Sequence, residues 1–289
     1  MTIPGYTVFH GQLEEQVVPG LRLGRHIRHD ARSLLYPYQR SGAALKDVLL
    51  TRHIGILDQG DVGSCTGNAE TGALGTDPLY TTLGASQQAG LSEKLALALY
   101  SAAETIDGDG PYPPNDYGSS GLSVCKAAQN AGLISGYVHC LSQADVLDAI
   151  SSGHGVILGT NWYDSMDAPD GSGLVSISAD AQVRGGHEYL ARGIDTANQL
   201  IRLDNSWGTS WGDAGSFCYT WGTLERLLAE QGDGTVSVPL TQPPPKPKPP
   251  APPKPDPLIA ELAEVIRGIC ASVEKDVTEA LAWLASHNL

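Results

Sequence analysis

The chain is short of cationic side chains: 18 Lys and Arg stand against 32 Asp and Glu in 289 residues, a formal charge of −14. Nucleic-acid binding draws on clustered Lys and Arg that neutralise phosphates, so no nucleic-acid partner is expected. Long apolar runs are missing as well. No segment reaches the roughly 18 apolar residues of a membrane helix, and no membrane span is predicted. The opening Met1-Thr2-Ile3-Pro4-Gly5-Tyr6 lacks a basic stretch followed by an apolar one. No secretory signal is read there, and the expectation is a chain cytoplasmic at synthesis, with signal-free release or assembly into a particle left open. Cysteines are few and scattered: the five, at 65, 125, 140, 218 and 270, include no C-x-x-C pair. A disulfide framework or zinc site is not expected, one thiol at least is left free, and no cofactor is implied.

What is present begins with core-forming capacity. An apolar content of 41% suffices for one substantial domain with an appendage. The informative stretch is Asp58-Gln59-Gly60-Asp61-Val62-Gly63-Ser64-Cys65-Thr66-Gly67-Asn68-Ala69, which sets a cysteine at a glycine-flanked turn before a segment able to turn helical. A thiol in the first turn of a helix feels the positive end of the backbone dipole, which favours the nucleophilic thiolate. Gln59 carries a neutral amide that could be aimed at an oxyanion. Two later segments add partners. In Gly185-Gly186-His187-Glu188-Tyr189-Leu190-Ala191 a histidine enters an apolar, strand-like run, and in Asp204-Asn205-Ser206-Trp207-Gly208-Thr209-Ser210-Trp211-Gly212 an asparagine precedes two tryptophans.

Taken together these residues resemble the papain family of cysteine peptidases, of bacterial or phage type. His187 and Asn205 follow Cys65 by 122 and 140 residues, and the family places its histidine and asparagine about 130–150 residues after the nucleophile. The resemblance implies an α+β, two-subdomain fold in which a helical half and an antiparallel β half meet at an active-site cleft. It implies a peptide or protein substrate and hydrolysis through an acyl-thioester on Cys65. His187 would be the imidazolium partner, Asn205 its orienting group, Gln59 with the Cys65 N–H the oxyanion donors, and Trp207 a cover over the Asn–His hydrogen bond. Three positions depart from the family pattern: Val62 where many members carry a cysteine, Thr66 where an aromatic commonly follows the nucleophile, and Gly186 where a polar residue is frequent. The alternatives are a catalytically silent papain-like binding or structural module of a larger assembly, and an amide- or acyl-transfer or cell-wall-peptide hydrolase using the same residues.

Along the chain, residues 1–50 read as a loop-like arm packed on the domain, too short and too interrupted by Gly and Pro for the long helical inhibitory segment of papain-like zymogens. Residues 51–240 form the peptidase domain. Helices are expected at 65–75, 91–105 (capped by Ser92), 122–131, 142–152 and 223–230, and strands at 155–162, 183–195, 200–204 and 216–221. Residues 241–257 form a proline-rich linker of extended polyproline type. Residues 258–289 form an amphipathic helix whose apolar stripe, Ile259, Leu262, Ile266, Ile269 and Val273, is expected to self-associate or dock on a partner protein. His53, His139 and His154 have no motif around them and read as structural.

Overall fold

A computed structural model of the chain describes residues 9–11, 13–242 and 244–247. The chain divides into two units, Met1–Lys248 and Pro249–Leu289. The predicted C-terminal helix and most of the proline-rich linker lie outside the described residues, and the linker's described residues, 241, 242 and 244–247, form neither helix nor strand.

The elements run β1 (Phe9–Gly11), β2 (Ile27–His29), β3 (Val48–Leu49), α1 (Cys65–Leu74), α2 (Leu79–Thr82), α3 (Ala85–Gly90), α4 (Glu93–Asp107), α5 (Gly121–Asn130), β4 (Gly136–Cys140), α6 (Gln143–Ser151), β5 (Val156–Tyr163), β6 (Val183–Asp195), β7 (Leu200–Asp204), β8 (Ser216–Thr220), α7 (Trp221–Ala229) and β9 (Asp233–Val238). Strands β4-β9-β5-β6-β7-β8 form one antiparallel sheet in that order, with β3 added to β6. Helices therefore come first and the sheet second, as the sequence indicates.

Two apolar clusters build the halves. Leu74, Leu99, Ala103, Val124 and Ala128 of α1, α4 and α5 pack together against Ile157 and Leu190 of the sheet. Trp162, Tyr189, Leu203, Phe217 and Leu227 fill the other side with α6 and α7. Helix α1 is buried along its whole length, which explains its small residues. A Cβ added to Gly67 would lie 2.1 Å from the Ala96 carbonyl oxygen of α4. The glycine costs about 1 kcal/mol of helix propensity, and the close approach of α4 is what it permits.

Side-chain caps set two helix starts. Ser142 Oγ accepts from the Asp145 N–H at 3.2 Å, and Ser120 Oγ from the Ser123 N–H at 3.2 Å. Ser92 also stands at a helix N-cap, but its hydroxyl donates to the Gly90 carbonyl at 3.1 Å instead of accepting from the helix. The region before residue 50 is more ordered than a loop: β1 pairs with β2, and β3 joins the main sheet. Strands β4 and β9 were not expected; they pair with each other across nearly a hundred residues of sequence.

Glu70, on the face of α1 turned toward β9, gives a pH-dependent prediction. Ser237 Oγ donates to both carboxylate oxygens at 3.1 Å, yet burial outweighs those bonds and pushes the carboxyl from 4.5 up to about 7. Between those two values the folded chain holds a proton that the unfolded chain has released. Stability must therefore fall as pH rises through that window. Glu70→Gln should flatten this slope, read as Tm against pH from 4.5 to 7.5. An unchanged slope would place the titrating group elsewhere.

Candidate active site

Cys65 is the first residue of α1, after Ser64. Ser64 is held by Asn68, whose N–H and Nδ2 both donate to the Ser64 carbonyl at 3.0 Å. His187 lies within β6, opposite Thr160 of β5. Asn205 follows β7 directly, and its N–H donates to the Gly215 carbonyl at 2.9 Å.

These positions converge. His187 Nε2 is bonded to Asn205 Oδ1 at 2.8 Å, and the same oxygen accepts from the Ser206 N–H at 2.8 Å. An oxygen that already accepts from an N–H assigns the imidazole proton to Nε2. His187 Nδ1 is then a bare acceptor, and it has no hydrogen-bond partner. The next N–H along the strand, that of Glu188, and the Thr66 N–H both favour the ionised form of Cys65. The sulfur thus lies against the residue that follows the histidine.

Trp207 stacks on the His187 ring at 4.8 Å between centroids and 22° between planes. Trp162, which no sequence motif singled out, meets the same ring edge-on at 5.0 Å. Gln59 is tied to the Asn205 loop twice: its N–H donates to the Ser206 carbonyl at 2.8 Å, and Ser206 Oγ donates to Gln59 Oε1 at 2.6 Å. Gln59 Nε2 donates to the Val62 carbonyl at 2.8 Å and reaches the Leu23 carbonyl at 3.5 Å. All four residues predicted from sequence therefore fall in one neighbourhood.

Leu23 belongs to a segment, residues 13–28, that crosses this neighbourhood as a strap. Gly24 and Arg25 N–H groups both donate to the Gly186 carbonyl, at 3.1 and 3.0 Å. On the other side the Ser119 N–H donates to the Gly24 carbonyl and the His26 N–H to the Ser119 carbonyl, at 2.8 and 2.7 Å. Trp207 Nε1 donates to the Arg22 carbonyl at 2.9 Å. Buried Arg184 holds the Gln16 and Leu21 carbonyls at 2.9 and 2.6 Å. Glycines make this possible: a Cβ on Gly24 would lie 2.1 Å from the Gly63 carbonyl oxygen, and one on Gly186 would lie 2.5 Å from the Arg25 carbonyl oxygen. Gly186 thus departs from the family pattern at the point where the strap needs the space.

Burial under the strap controls the charges. Cys65 and His187 are both 0% exposed. Burial, with the Glu188 charge in addition, pushes the Cys65 thiol well above its ordinary range, against the two N–H groups that act the other way. Burial likewise pushes His187 down to about 3; its bond to Asn205 opposes this and the Arg184 charge reinforces it. Full burial of an ionised group is worth about 4–7 kcal/mol, whereas a helix terminus contributes about 0.3–2 kcal/mol. Desolvation wins, so the covered site holds a neutral thiol and a neutral imidazole. The thiolate–imidazolium pair expected from sequence is not favoured in this arrangement.

The Asn205 loop is anchored by its neighbour. Asp204 Oδ2 pairs with Arg52 Nη1 at 3.0 Å and Arg192 Nε at 2.6 Å, and Ser216 Oγ donates to Asp204 Oδ1 at 2.8 Å. Asp204→Ala strands two largely buried guanidinium groups, at a cost of about 3–5 kcal/mol. Calorimetry should show Tm lowered by about 10 °C or more; a loss under about 3 °C would mean that water or another group takes over the cations.

Among the described residues, no group of three His, Cys, Asp or Glu side chains is placed to hold a metal, and Cys65, Cys125, Cys140 and Cys218 are free thiols. No helix among them is long and apolar enough to cross a membrane.

No protein-family model matches this sequence, and neither does any curated protein sequence. Similarity is found in three dimensions. Xylellain, a cysteine protease from Xylella fastidiosa, superposes with a TM-score of 0.61 and 20% identity, over 81% of this chain and 99% of that one. ProCathepsin B S9 from Trypanosoma congolense gives 0.53 and 13%, over 75% and 86%. Digestive procathepsin L 3 of the Tenebrio molitor larval midgut gives 0.52 and 18%, over 73% and 76%. With its helices set against one antiparallel sheet and Cys65 placed between them, the chain has the two-subdomain α+β fold of the papain-like cysteine proteases.

Proposed function

We propose that the chain is a cysteine peptidase held latent by its own residues 13–28. The observation that carries this reading is the asymmetry of His187, whose Nε2 is tied to Asn205 while its buried Nδ1 has no hydrogen-bond partner. When the strap leaves, water returns to the cleft. The thiol becomes easier to ionise and the imidazole easier to protonate, so a proton passes from Sγ to Nδ1.

The thiolate then attacks a peptide carbonyl. Gln59 Nε2, relieved of Leu23, and the Cys65 N–H donate to the oxyanion. His187 hands its proton to the leaving amine, and the acyl-thioester is hydrolysed by water that His187 activates. Asn205 keeps the ring oriented, and Trp207 and Trp162 keep water from the Asn205–His187 bond. The substrate is a peptide or protein segment able to take the place of the strap.

A second reading has one observation in its favour: thiol and imidazole are both neutral and wholly buried, as suits a silent module. Digestion of a peptide library by the full-length Gly24→Val chain, beside the same chain with Cys65→Ala, decides between them. Cleavage that vanishes with the sulfur supports the peptidase. Identical silence from both supports the module.

A further inference from the structure

Two carbonyls of the strap rest on a single side chain of the sheet. Arg184, three residues before His187 on β6, is 2% exposed. Its Nη1 donates to the Gln16 carbonyl at 2.9 Å and its Nη2 to the Leu21 carbonyl at 2.6 Å. The domain holds the same group from behind: Asp167 Oδ1 accepts from Arg184 Nε at 3.2 Å and from Trp162 Nε1 at 2.8 Å. The guanidinium carbon lies 5.9 Å from the centre of the Trp207 ring, and that ring stacks on His187 at 4.8 Å. Once the strap leaves, Nη1 and Nη2 are two donors without acceptors in a buried place, which is costly unless the substrate supplies them.

The strap reaches both donors only because it doubles back. The Leu21 N–H donates to the Val18 carbonyl at 3.0 Å, and Gly20 sits at φ +74, a tight turn that brings the carbonyls of residues 16 and 21 together. Glu15 Oε1 accepts from the Leu23 N–H at 2.9 Å, so the two limbs of the turn are tied and loosening one loosens the other. An extended peptide has no such turn. Its carbonyls point alternately to opposite edges, and two on one edge are about 7 Å apart, too far to share one guanidinium fork. A terminal carboxylate does what the turn does: it sets two acceptor oxygens on one carbon, meets both Nη groups at once, and adds a charge that carbonyls lack.

We infer that Arg184 binds the C-terminal carboxylate of the substrate, and that the chain is a carboxypeptidase releasing short pieces from peptide C-termini. This rests on the peptidase reading of Cys65. As the Cys65 sulfur bonds to the carbonyl carbon and the C–N bond breaks, the departing nitrogen takes the proton from His187 Nδ1. The released piece therefore lies on the side of His187 and Trp207, where Arg184 stands. Spacings of 4.8 and 5.9 Å limit that piece to about three residues, each spanning about 3.3–3.6 Å when extended.

The test gives full-length Gly24→Val two peptides of one sequence, one ending in a free carboxylate and the other in a carboxamide. Products are read by mass spectrometry beside the same chain with Cys65→Ala. The free acid should lose pieces of about one to three residues from its C-terminus, with kcat/KM about 100-fold above that of the amide. Adding Arg184→Gln to Gly24→Val should bring that ratio close to one. Arg184→Lys, which keeps the charge and loses the fork, should fall between. Equal rates on acid and amide, or cuts spread through the interior of both, overturn the carboxylate site and leave the peptidase reading intact. A preference for the acid that survives Arg184→Gln overturns the site as well. No Cys65-dependent cleavage of either peptide overturns both. Should Arg184→Gln fail to fold, the acid-to-amide ratio and the positions of the cuts in Gly24→Val decide alone.

Discussion

In a full-length chain carrying Gly24→Val, hydrolysis of a peptide substrate rises by about 10- to 100-fold over the native sequence. Gly24 sits at φ +145, a region that side-chain-bearing residues avoid, and its added Cβ would lie 2.1 Å from the backbone oxygen of Gly63. Backbone strain of this kind costs about 1–3 kcal/mol, and every 1.4 kcal/mol or so taken from the covered form multiplies the open population about tenfold. The site itself loses nothing, because no atom of Gly24 belongs to the proposed catalytic set. The substitution acts on the cover alone, so kcat per open molecule should hold while the apparent activity climbs. Activity unchanged by Gly24→Val would mean either that residues 13–28 do not control access or that nothing beneath them is catalytic.

The second large effect lies in the residues under the cover. In the Gly24→Val background, Cys65→Ala removes the nucleophile and should lower kcat by about 10⁴-fold or more. His187→Ala removes the proton acceptor, at about 10²- to 10⁴-fold. Asn205→Ala should cost less than either, since Trp207 and Trp162 still hold the imidazole. That ordering discriminates. A site in which all three substitutions cost the same small factor would be a binding cleft and not a catalytic one. Both effects are read from initial rates on one fluorogenic peptide under reducing conditions.

Much of this site was legible in the sequence because its parts are local. Cys65 opens α1 within one glycine-flanked turn, and Asn205, Ser206 and Trp207 are consecutive. Their identities carry the chemistry whatever surrounds them. Helices α1 and α4 to α7 and strands β5, β6 and β7 are legible in the sequence, whereas the short helices α2 and α3 are not. Strands β4 and β9 are not: each joins small and polar residues to apolar ones, and their partnership spans the intervening β half. No pattern inside either segment encodes that pairing.

The strap was hidden for a related reason. Residues 13–26 show neither helical nor strand periodicity, because Gln16, Gly24, Arg25 and His26 hydrogen-bond at scattered points to the backbone of Arg184, Gly186 and Ser119. Arg25 stands in the arm among Arg22, His26, Arg28 and His29, and nothing local distinguishes it. What sets it apart is Asp233, more than two hundred residues later. Glu188 was in plain view beside His187, yet only folding reveals that it is buried without a partner. The thiolate–imidazolium pair was inferred from the helix terminus, a local influence. Burial by a distant segment reverses the balance, and burial is not written in the residues next to Cys65.

Central to all of this is the proposal that Cys65 is a nucleophile kept from solvent by the chain's own residues 13–28. Intact mass spectrometry after brief exposure to the epoxide inhibitor E-64, on native full-length protein with reducing agent present, tests it most directly. The prediction is one adduct per chain in Gly24→Val, mapped to Cys65, and labelling of the native sequence slower by at least about tenfold. Equal rates in the two chains, or a Gly24→Val protein that stays folded and takes no adduct at Cys65, would contradict it.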